Sequence, residues 1–149
     1  MGVVPALVPF SALTGADVYD LLALRQRVFV VEQHCAYLDA DGLDLDARHL
    51  LMRDRGLLVA STRVLAPGVR FPTHSIGRVV VAPERRGERL GREVVELTIA
   101  EIEKADGQVP ISLAAQAHLE GFYGSLGFRT ISSPYDEDGI PHLDMRREP

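Results

Sequence analysis

The stretch that decides the fold reads Val79-Val80-Val81-Ala82-Pro83-Glu84-Arg85-Arg86-Gly87-Glu88-Arg89-Leu90-Gly91-Arg92. Its apolar beginning belongs to a strand that we predict over Ser75–Val81, and the absence of polar alternation is typical of a strand covered on both faces. Pro83 ends that strand. Apolar residues then recur at spacings of four and three, at Leu90, Val94 and Leu97, which predicts a helix over Gly87–Asp106. A strand, a turn rich in Arg and Gly and a long helix therefore meet here.

The start of this helix is suited to an anion. The first backbone N–H groups of a helix have no partner within the helix and carry the positive end of its dipole. Gly87 and Gly91 would let a ligand approach the main chain, and phosphate or pyrophosphate fits best. Four arginines add cationic donors and three glutamates dilute them: Arg85, Arg86, Arg89 and Arg92, against Glu84, Glu88 and Glu93. Many glycine-containing helix starts bind nothing, so the pattern alone leaves anion binding open.

The rest of the chain predicts strands and shorter helices around this unit. Thr14 or Ser11 offers a helix N-cap, and Asp54-Arg55-Gly56 allows a hairpin turn. The other predicted elements are an edge strand over Val3–Phe10, a helix over Ala16–Val31, strands over His49–Arg53, Leu57–Leu65 and Ile111–Ala115, a helix over His118–Leu126, a strand from Phe128 onward and, after a turn at Asp138-Gly139, a closing strand over His142–Arg146. This order predicts a mixed α/β fold, an α+β sheet with an antiparallel half.

Length and charge restrict the class of protein. The 149 residues fit one domain, 1–149, and the net charge of −5 argues against a nucleic-acid partner because it leaves no broad cationic face. The longest stretch without charged residues, Met1–Ala16, contains two prolines and is too short to cross a membrane. It also lacks the cationic start of a secretory signal. We therefore expect no membrane association and a cytoplasmic location.

A second motif makes the pattern specific. Phe122-Tyr123-Gly124-Ser125-Leu126-Gly127-Phe128 ends a helix and starts a strand. Together with the Val-x-Val-x-Pro strand at 79–83 and the Arg-Gly-x-x-x-Gly turn at 86–91, it resembles the GNAT acetyltransferase superfamily in motif order and spacing. Further segments are similar to its ElaA-like subgroup: Arg27-Val28-Phe29-Val30-Val31-Glu32-Gln33, Ala115-Gln116-Ala117-His118-Leu119 and Asp138-Gly139-Ile140-Pro141-His142.

The resemblance implies that acetyl-CoA, or another acyl-CoA, lies where the strands Ser75–Val81 and Ile111–Ala115 splay apart. Main-chain groups of the run Val79, Val80 and Val81 would bind the pantetheine arm like an added strand, with the Val79 N–H polarising the thioester carbonyl. Gln116, where many relatives carry Asn, and Phe122 would also contact the cofactor. The pyrophosphate would be held by the amides of Arg86, Gly87, Glu88, Arg89, Leu90, Gly91 and Arg92.

One residue of the turn departs from the family pattern. The superfamily usually has a second Gly where this chain has Arg89. We expect Arg89 to adopt helical φ and ψ and to aim its side chain outward, which would keep the main chain accessible.

Direct attack by an amine on the thioester needs a base for the amine and an acid for the departing thiolate. The resemblance places Tyr123 at the general-acid position, where a phenolic proton or a strong hydrogen bond can reach the sulfur. An alkyl amine is protonated at pH 7, so a base is required. Glu32, at the acceptor side, is our candidate for the base or for an acceptor ligand, and His34, His118 and His142 are alternatives.

Two features that suggest metal or redox chemistry have simpler interpretations. Cys35 is the only cysteine, so no internal disulfide can form, and we interpret it as a small buried hydrophobe. The segment Asp39–Asp46 is rich in aspartate, but its Gly and Glu positions do not fit a calcium loop. Cys35, His34 and His49 lack the paired spacing of a zinc site. We expect no metal, and we interpret 39–46 as a solvated acidic loop near the acceptor entrance.

The sequence therefore predicts an acetyl-CoA-dependent N-acetyltransferase whose acceptor is a primary amine on a small molecule or a protein. A homodimer is compatible with the chain. Two alternatives stay open. The replacements at Arg89 and Gln116 are compatible with a CoA- or nucleotide-binding module without turnover. The similarity from Arg25 through Phe29 also suggests an acyl-homoserine-lactone synthase, although the short chain and the absence of Trp count against it.

Overall fold

A mixed sheet of eight strands organises the computed structural model, which describes residues 5–149. The strands hydrogen-bond in the order β1-β2-β3-β4-β5-β8-β6, and β7 also pairs with β8. All neighbours are antiparallel except β4 and β5. The elements are β1 Leu7–Pro9, α1 Gly15–Arg25, β2 Arg48–Asp54, β3 Leu57–Leu65, β4 His74–Val81, α2 Leu90–Asp106, β5 Ile111–Gln116, α3 Glu120–Gly124, β6 Phe128–Thr130, β7 Tyr135–Glu137 and β8 Ile140–Arg147.

The first strand and helix confirm their prediction with altered bounds. β1 is an edge strand of residues 7–9, and the predicted start at Val3 lies outside the described residues. Thr14 is the N-cap of α1, where the Asp17 N–H donates to its hydroxyl and its own N–H donates to the Asp17 carboxylate, each over 3.0 Å. The helical path continues beyond α1 as a π-helix over Gln26–Glu32. Such wider turns are frequent at functional sites.

The hairpin β2–β3 turns at Arg55 and Gly56, as predicted. Both residues have positive φ, 52° and 80°, which matches the twist of the two strands. The long strand β3 is buried along most of its length and pairs with β2 on one side and β4 on the other. It therefore fixes the position of β4, the strand that carries the predicted cofactor segment.

The strands β4 and β5 separate after a very short parallel contact. They pair only at His74–Ile111 and Ser75–Ser112, although β4 continues to Val81 and β5 to Gln116. The predicted splay of the central strands is therefore confirmed.

The C-terminal part differs from its prediction in two places. The predicted strand from Phe128 onward is two strands, β6 and β7, because residues 131–134 leave the ladder around Pro134, and the Asp144 N–H there donates to the Ser132 hydroxyl over 2.9 Å. The predicted helix over His118–Leu126 is a 3-10 turn, Ala117–Leu119, followed by the short α3. Gly121 and Gly124 weaken a longer helix here.

Helices cover both faces of the sheet. α2 buries Leu90, Val94, Val95 and Ile102 in the main core, together with sheet residues such as Leu113. A second cluster on the opposite face joins Leu24 of α1 to Val28, Val80 and Ala82. Within residues 5–149, no helix combines the length and hydropathy that a membrane span requires.

The prediction of a solvated acidic loop is wrong for Asp39 and Asp44, which are buried in an ion network that also includes Asp41. Asp46 is exposed, as predicted. Arg25, which is 1% exposed, contacts Asp39 at 2.7 Å and Asp44 at 2.8 Å. Arg63 contacts Asp41 at 2.8 Å and Asp44 at 3.2 Å. The sequence pattern could not show this, because the arginines come from α1 and β3. Cys35 is buried, as predicted.

Loss of Arg25 should destabilise the fold strongly. In Arg25→Met the carboxylates of Asp39 and Asp44 lose their main cationic partner while they stay buried, and we expect the free energy of unfolding to fall by about 3–5 kcal/mol. Arg27→Met is the matched control, since Arg27 is largely exposed and its pair with Glu84 should contribute at most about 1 kcal/mol. Urea denaturation monitored by circular dichroism measures both. Equal losses in the two variants would contradict this role.

The same network should make stability fall in acid. Burial raises the pKa of Asp44, but hydrogen bonds and charges from Arg25 and Arg63 outweigh it, so the net shift lowers this pKa below 3.8. A carboxyl whose pKa is lower in the folded state stabilises the protein above its unfolded pKa, and this contribution is lost as the pH falls through the folded pKa. Thermal unfolding between about pH 5 and pH 2 should therefore show a steeper decline for the wild type than for Asp44→Asn. Parallel curves would refute the assignment.

Candidate active site

One cavity of about 1060 Å³ passes through the gap between β4 and β5. Its walls come from the π-helix, β4, the turn before α2, β5, α3 and the β7–β8 hairpin. It is at the upper end of the volumes of small-molecule sites, so it has room for a long cofactor and a second substrate. The site residues predicted from the sequence all line it, except Glu88 and the alternative base His34.

A β-bulge shapes the edge of β4. Ser61 of β3 pairs with Val80 and Arg63 pairs with Gly77. Two residues of β4, Arg78 and Val79, therefore stand opposite the single residue Thr62 of β3. Arg78 has φ of 49°, which belongs to the left-handed region. Beyond Ser75, β4 keeps β3 on one side, and no strand among residues 5–149 pairs with its other side. The main chain of residues 79–81 therefore presents an unpaired strand edge to the cavity.

The side chains of the predicted valine segment divide between the two faces of the sheet. Val80 is buried beside Leu24 and Val28, whereas Val79 and Val81 pack on the main core. The Val80 side chain thus fixes β4 against the helical segment that begins with α1.

The turn before α2 has the expected place but a different conformation. α2 begins at Leu90 and not at Gly87, which has φ of 87° and lies in the turn. The expectation of ordinary helical angles at Arg89 is wrong, since this residue is the N-cap with φ of 62° and ψ of 22°. It occupies the left-handed region, in which a Gly would have no steric penalty. The side chain is tolerated because it is exposed.

Most of the arginines near the turn are already paired. Arg85 contacts Glu88 and Asp54, each at 2.9 Å, and Arg92 contacts Glu96 at 3.0 Å while it donates to the Ser125 hydroxyl over 2.8 Å. Among residues 5–149, Arg89 makes no ion pair. Backbone amides and Arg89 are thus the groups most available to an anion at this turn.

Glu32 lies beside this turn and forms an ion pair with Arg86. The Arg86 guanidinium donates to both Glu32 carboxylate oxygens, over 2.6 and 2.9 Å, and both side chains are partly exposed. The hydrogen bonds from Arg86 lower the pKa of Glu32. A lower pKa makes a carboxylate a poorer proton acceptor, so the ion pair counts against Glu32 as the base.

Tyr123 lies on α3 with its ring in the core and lines the cavity. The ring packs edge-on against Phe122 at 5.0 Å and Phe128 at 6.0 Å between centroids. Burial raises the pKa of Tyr123 to about 12, so the phenol stays protonated at neutral pH. Within the described chain, no group hydrogen-bonds its hydroxyl. The hydroxyl is therefore left for a ligand.

The end of β5 contributes an amide pair that the sequence did not reveal. Gln116 donates to the Gln33 side-chain oxygen over 3.3 Å, which joins β5 to the residue after the π-helix. Of the alternative histidines, His118 and His142 line the cavity and His34 does not. In the sequence Gln33 belongs to the segment 27–33, and nothing there indicates a contact with Gln116, which lies 83 residues away.

Residues 5–149 contain no cluster of three or more side chains that could hold a metal ion. The aspartates of the 39–46 segment that face inward are instead held by arginines: Arg25, Arg63 and Arg78.

Comparisons with known proteins agree with this geometry. The sequence model described as "Acetyltransferase (GNAT) domain" matches residues 28–149. Protein ElaA of Escherichia coli is 44% identical over 140 residues, which cover 93% of this chain and 92% of ElaA. The crystal structure of E. coli ElaA superposes with a TM-score of 0.90, covering 97% of this chain and 98% of that one.

Two other solved structures extend the comparison. The crystal structure of an acyl-CoA N-acyltransferase from Pseudomonas aeruginosa has a TM-score of 0.89 and 41% identity, covering 96% of this chain and 98% of that one. An aminoglycoside 6′-N-acetyltransferase complexed with coenzyme A has a TM-score of 0.73 and covers 95% and 96%, but at 16% identity it shares the fold alone. The protein described here is an acetyltransferase and belongs to the GNAT family.

Proposed function

We propose that the protein transfers the acetyl group of acetyl-CoA to a primary amine on a small molecule or a protein, by direct attack in a ternary complex. One observation carries the proposal: the unpaired edge of β4 runs along the cavity and leads directly into the amide-rich turn before α2. An unpaired strand edge can hydrogen-bond the amides of a pantetheine arm, and the start of a helix can bind the pyrophosphate that follows it in coenzyme A.

The coenzyme would occupy the gap as a substitute strand. Its pantetheine amides would hydrogen-bond the main chain of Val79 and Val81, with Gln116 and Phe122 on the opposite wall. Its pyrophosphate would accept from the amides of residues 86–92, where Gly87 has no neighbouring atom within 4 Å of an added Cβ. Arg86 would then have an anion on one side and Glu32 on the other.

The acyl group would react at the bulge. The Val79 N–H would polarise the thioester carbonyl and stabilise the tetrahedral oxyanion. Because the pKa of Tyr123 is about 12 and that of a thiol is about 8.5, complete transfer of the phenolic proton to the thiolate costs about 5 kcal/mol. Tyr123 would therefore act first as a hydrogen-bond donor to the departing sulfur, and its proton would follow as the amine nitrogen releases one.

A CoA- or nucleotide-binding module without turnover is the alternative. The existing ion pair between Glu32 and Arg86 favours it, because a carboxylate held by an arginine is a poorer proton acceptor for turnover. Release of thiol from acetyl-CoA in the presence of an amine distinguishes the enzyme from the module.

Gly87→Ala should weaken the binding of coenzyme A. At φ of 87° an alanine strains the turn, so the amides that would hold the pyrophosphate are displaced. We expect affinity to fall about tenfold or more, which corresponds to about 1.4 kcal/mol. Gly68→Ala is the matched control, since Gly68 has φ of 89° and equally open surroundings but lies between β3 and β4 outside the cavity. Isothermal calorimetry with coenzyme A measures both, and equal affinities in the two variants would contradict the turn as the pyrophosphate site.

Tyr123→Phe should slow turnover without weakening cofactor binding. Loss of the donor to the departing thiolate should lower kcat by about 10²-fold. Tyr19→Phe, at a side chain that is 76% exposed, controls for the same chemical change. Thiol release from acetyl-CoA is measured with a panel of alkyl amines, polyamines and lysine peptides. Full kcat in Tyr123→Phe across the pH range would refute the acid role.

A further inference from the structure

His142 stands on the face of the sheet opposite Tyr123. It lies on β8, where it pairs in register with Gln116 of β5 and with Tyr135 of β7. Its neighbour Leu143 belongs to the core cluster that contains Tyr123. Successive strand residues point to opposite faces, so the imidazole projects to the other side. His142 and Tyr123 nevertheless line the same cavity, because that cavity passes through the gap between β4 and β5.

The surroundings of His142 fix its tautomer. Nδ1 lies 2.8 Å from the carbonyl oxygen of Ile140. A carbonyl oxygen only accepts, so Nδ1 carries the hydrogen and Nε2 of the neutral ring carries a lone pair. Stacking on the Tyr135 ring, with centroids 6.1 Å apart and planes at 28°, holds the ring orientation. The Tyr135 hydroxyl is itself held by Asp144 over 2.6 Å.

The lone pair of Nε2 faces another acceptor. The Glu137 carboxylate oxygen is 3.4 Å from Nε2, at a side chain that is 36% exposed. Two hydrogen-bond acceptors, Nε2 of His142 and the Glu137 carboxylate, can lie this close only with a proton or a donor group between them. Glu137 also accepts from Arg70 over 2.8 Å, and that arginine lines the cavity on the connection between β3 and β4. Glu137, Tyr135 and Gln116 thus adjoin His142. Arg70 and Asp144 act on it only through Glu137 and Tyr135.

A primary ammonium group is the ligand that this arrangement suits. It carries several N–H donors for the Nε2 lone pair and the carboxylate, and its positive charge matches Glu137. We propose that His142, oriented by Ile140 and assisted by Glu137, binds the acceptor amine and removes its proton. This assignment rests on the proposed function.

The proton balance closes with residues on both faces of the sheet. One ammonium proton moves to Nε2 of His142 and then to solvent, which leaves the neutral amine. Its lone pair forms the bond to the thioester carbon, and the tetrahedral intermediate breaks the carbon–sulfur bond. The nitrogen then releases a second proton, and this balances the proton that the thiolate receives through Tyr123.

The other candidates for the base are less well placed. Glu32 is held by both guanidinium nitrogens of Arg86 and lies beside the anion-binding turn. His118 lines the cavity on the 3-10 turn after β5, without the carbonyl and carboxylate partners that orient His142. His142 is the candidate whose acceptor nitrogen is both oriented and faced by a negative charge.

A comparison of two nucleophiles tests the assignment. The first is the primary alkyl amine that the wild type uses best, which is protonated at pH 7, and the second is the O-alkylhydroxylamine of the same carbon skeleton, which is already neutral there. In His142→Gln we expect kcat/KM at pH 7 to fall about 10²-fold for the amine and to stay within about threefold for the hydroxylamine. The defect with the amine should shrink as the pH approaches about 10.4, where the amine is neutral without a base.

Two further variants complete the experiment. Glu137→Gln should raise KM for the protonated amine about tenfold and leave KM for the neutral hydroxylamine unchanged, because the carboxylate that faces the ammonium charge is gone. His74→Gln makes the same chemical change at a histidine outside the cavity lining, 3.5 Å from Asp106, and should leave both rates unchanged. Circular dichroism and calorimetry with coenzyme A verify that the variants fold and bind the cofactor.

The outcomes separate the two proposals. Suppose that the wild type acetylates an amine and that His142→Gln keeps the wild-type pH profile, or that its kcat/KM falls equally with the amine and the hydroxylamine. His142 is then not the proton acceptor, and the proposed function stands. If the wild type binds acetyl-CoA but acetylates no primary amine, the proposed function and this assignment are both overturned. If His142→Gln does not fold, an unchanged KM for the amine in Glu137→Gln overturns the assignment.

Discussion

The separation of β4 from β5 is the constraint on which the rest of this structure depends. Two strands that start as a parallel pair lose contact after Ser75 and Ser112, and the unpaired edge of β4 borders the cavity. An unpaired strand edge is costly when it is buried, because its N–H and C=O groups lose their partners. The opening of the cavity to solvent removes this cost. The fold thus leaves backbone N–H and C=O groups available for hydrogen bonds along the cavity wall.

The buried ion network holds this opening in shape. Arg78, at the bulge of β4, contacts Asp39 at 2.8 Å, and the same aspartate contacts Arg25 of α1 at 2.7 Å. Arg63, on the neighbouring strand β3, contacts Asp41 and Asp44. The segment that carries these aspartates is therefore fastened to α1, β3 and β4 together. A bulge that is anchored from outside the sheet keeps its left-handed residue without help from β5.

The site has two chemically different sides. The turn before α2 and Tyr123 lie towards the core helices, and they suit an anionic cofactor and a departing thiolate. Gln116, His142 and Glu137 lie on the opposite face, where a carboxylate suits a cationic amine. In the proposed reaction the amine therefore loses its proton on one side of the sheet and the sulfur gains one on the other. In this scheme Glu32 stays in its ion pair with Arg86 beside the turn.

The sequence by itself determined the order of the elements and the strand–turn–helix unit at 79–92, while Tyr123 was indicated by the family resemblance. These features depend on local chemistry: apolar runs, a proline that ends a strand, and glycines at turns. Only the tertiary structure decided which charges meet. In the sequence the acidic segment 39–46 looks solvated, because the arginines that pair with it lie 14 to 39 residues away along the chain. His142 acquires its neighbours from the pairing of β8 with β5 and β7. Pairings of this kind depend on strand register and on the left-handed angles at Arg78 and Arg89, which residue types alone do not specify.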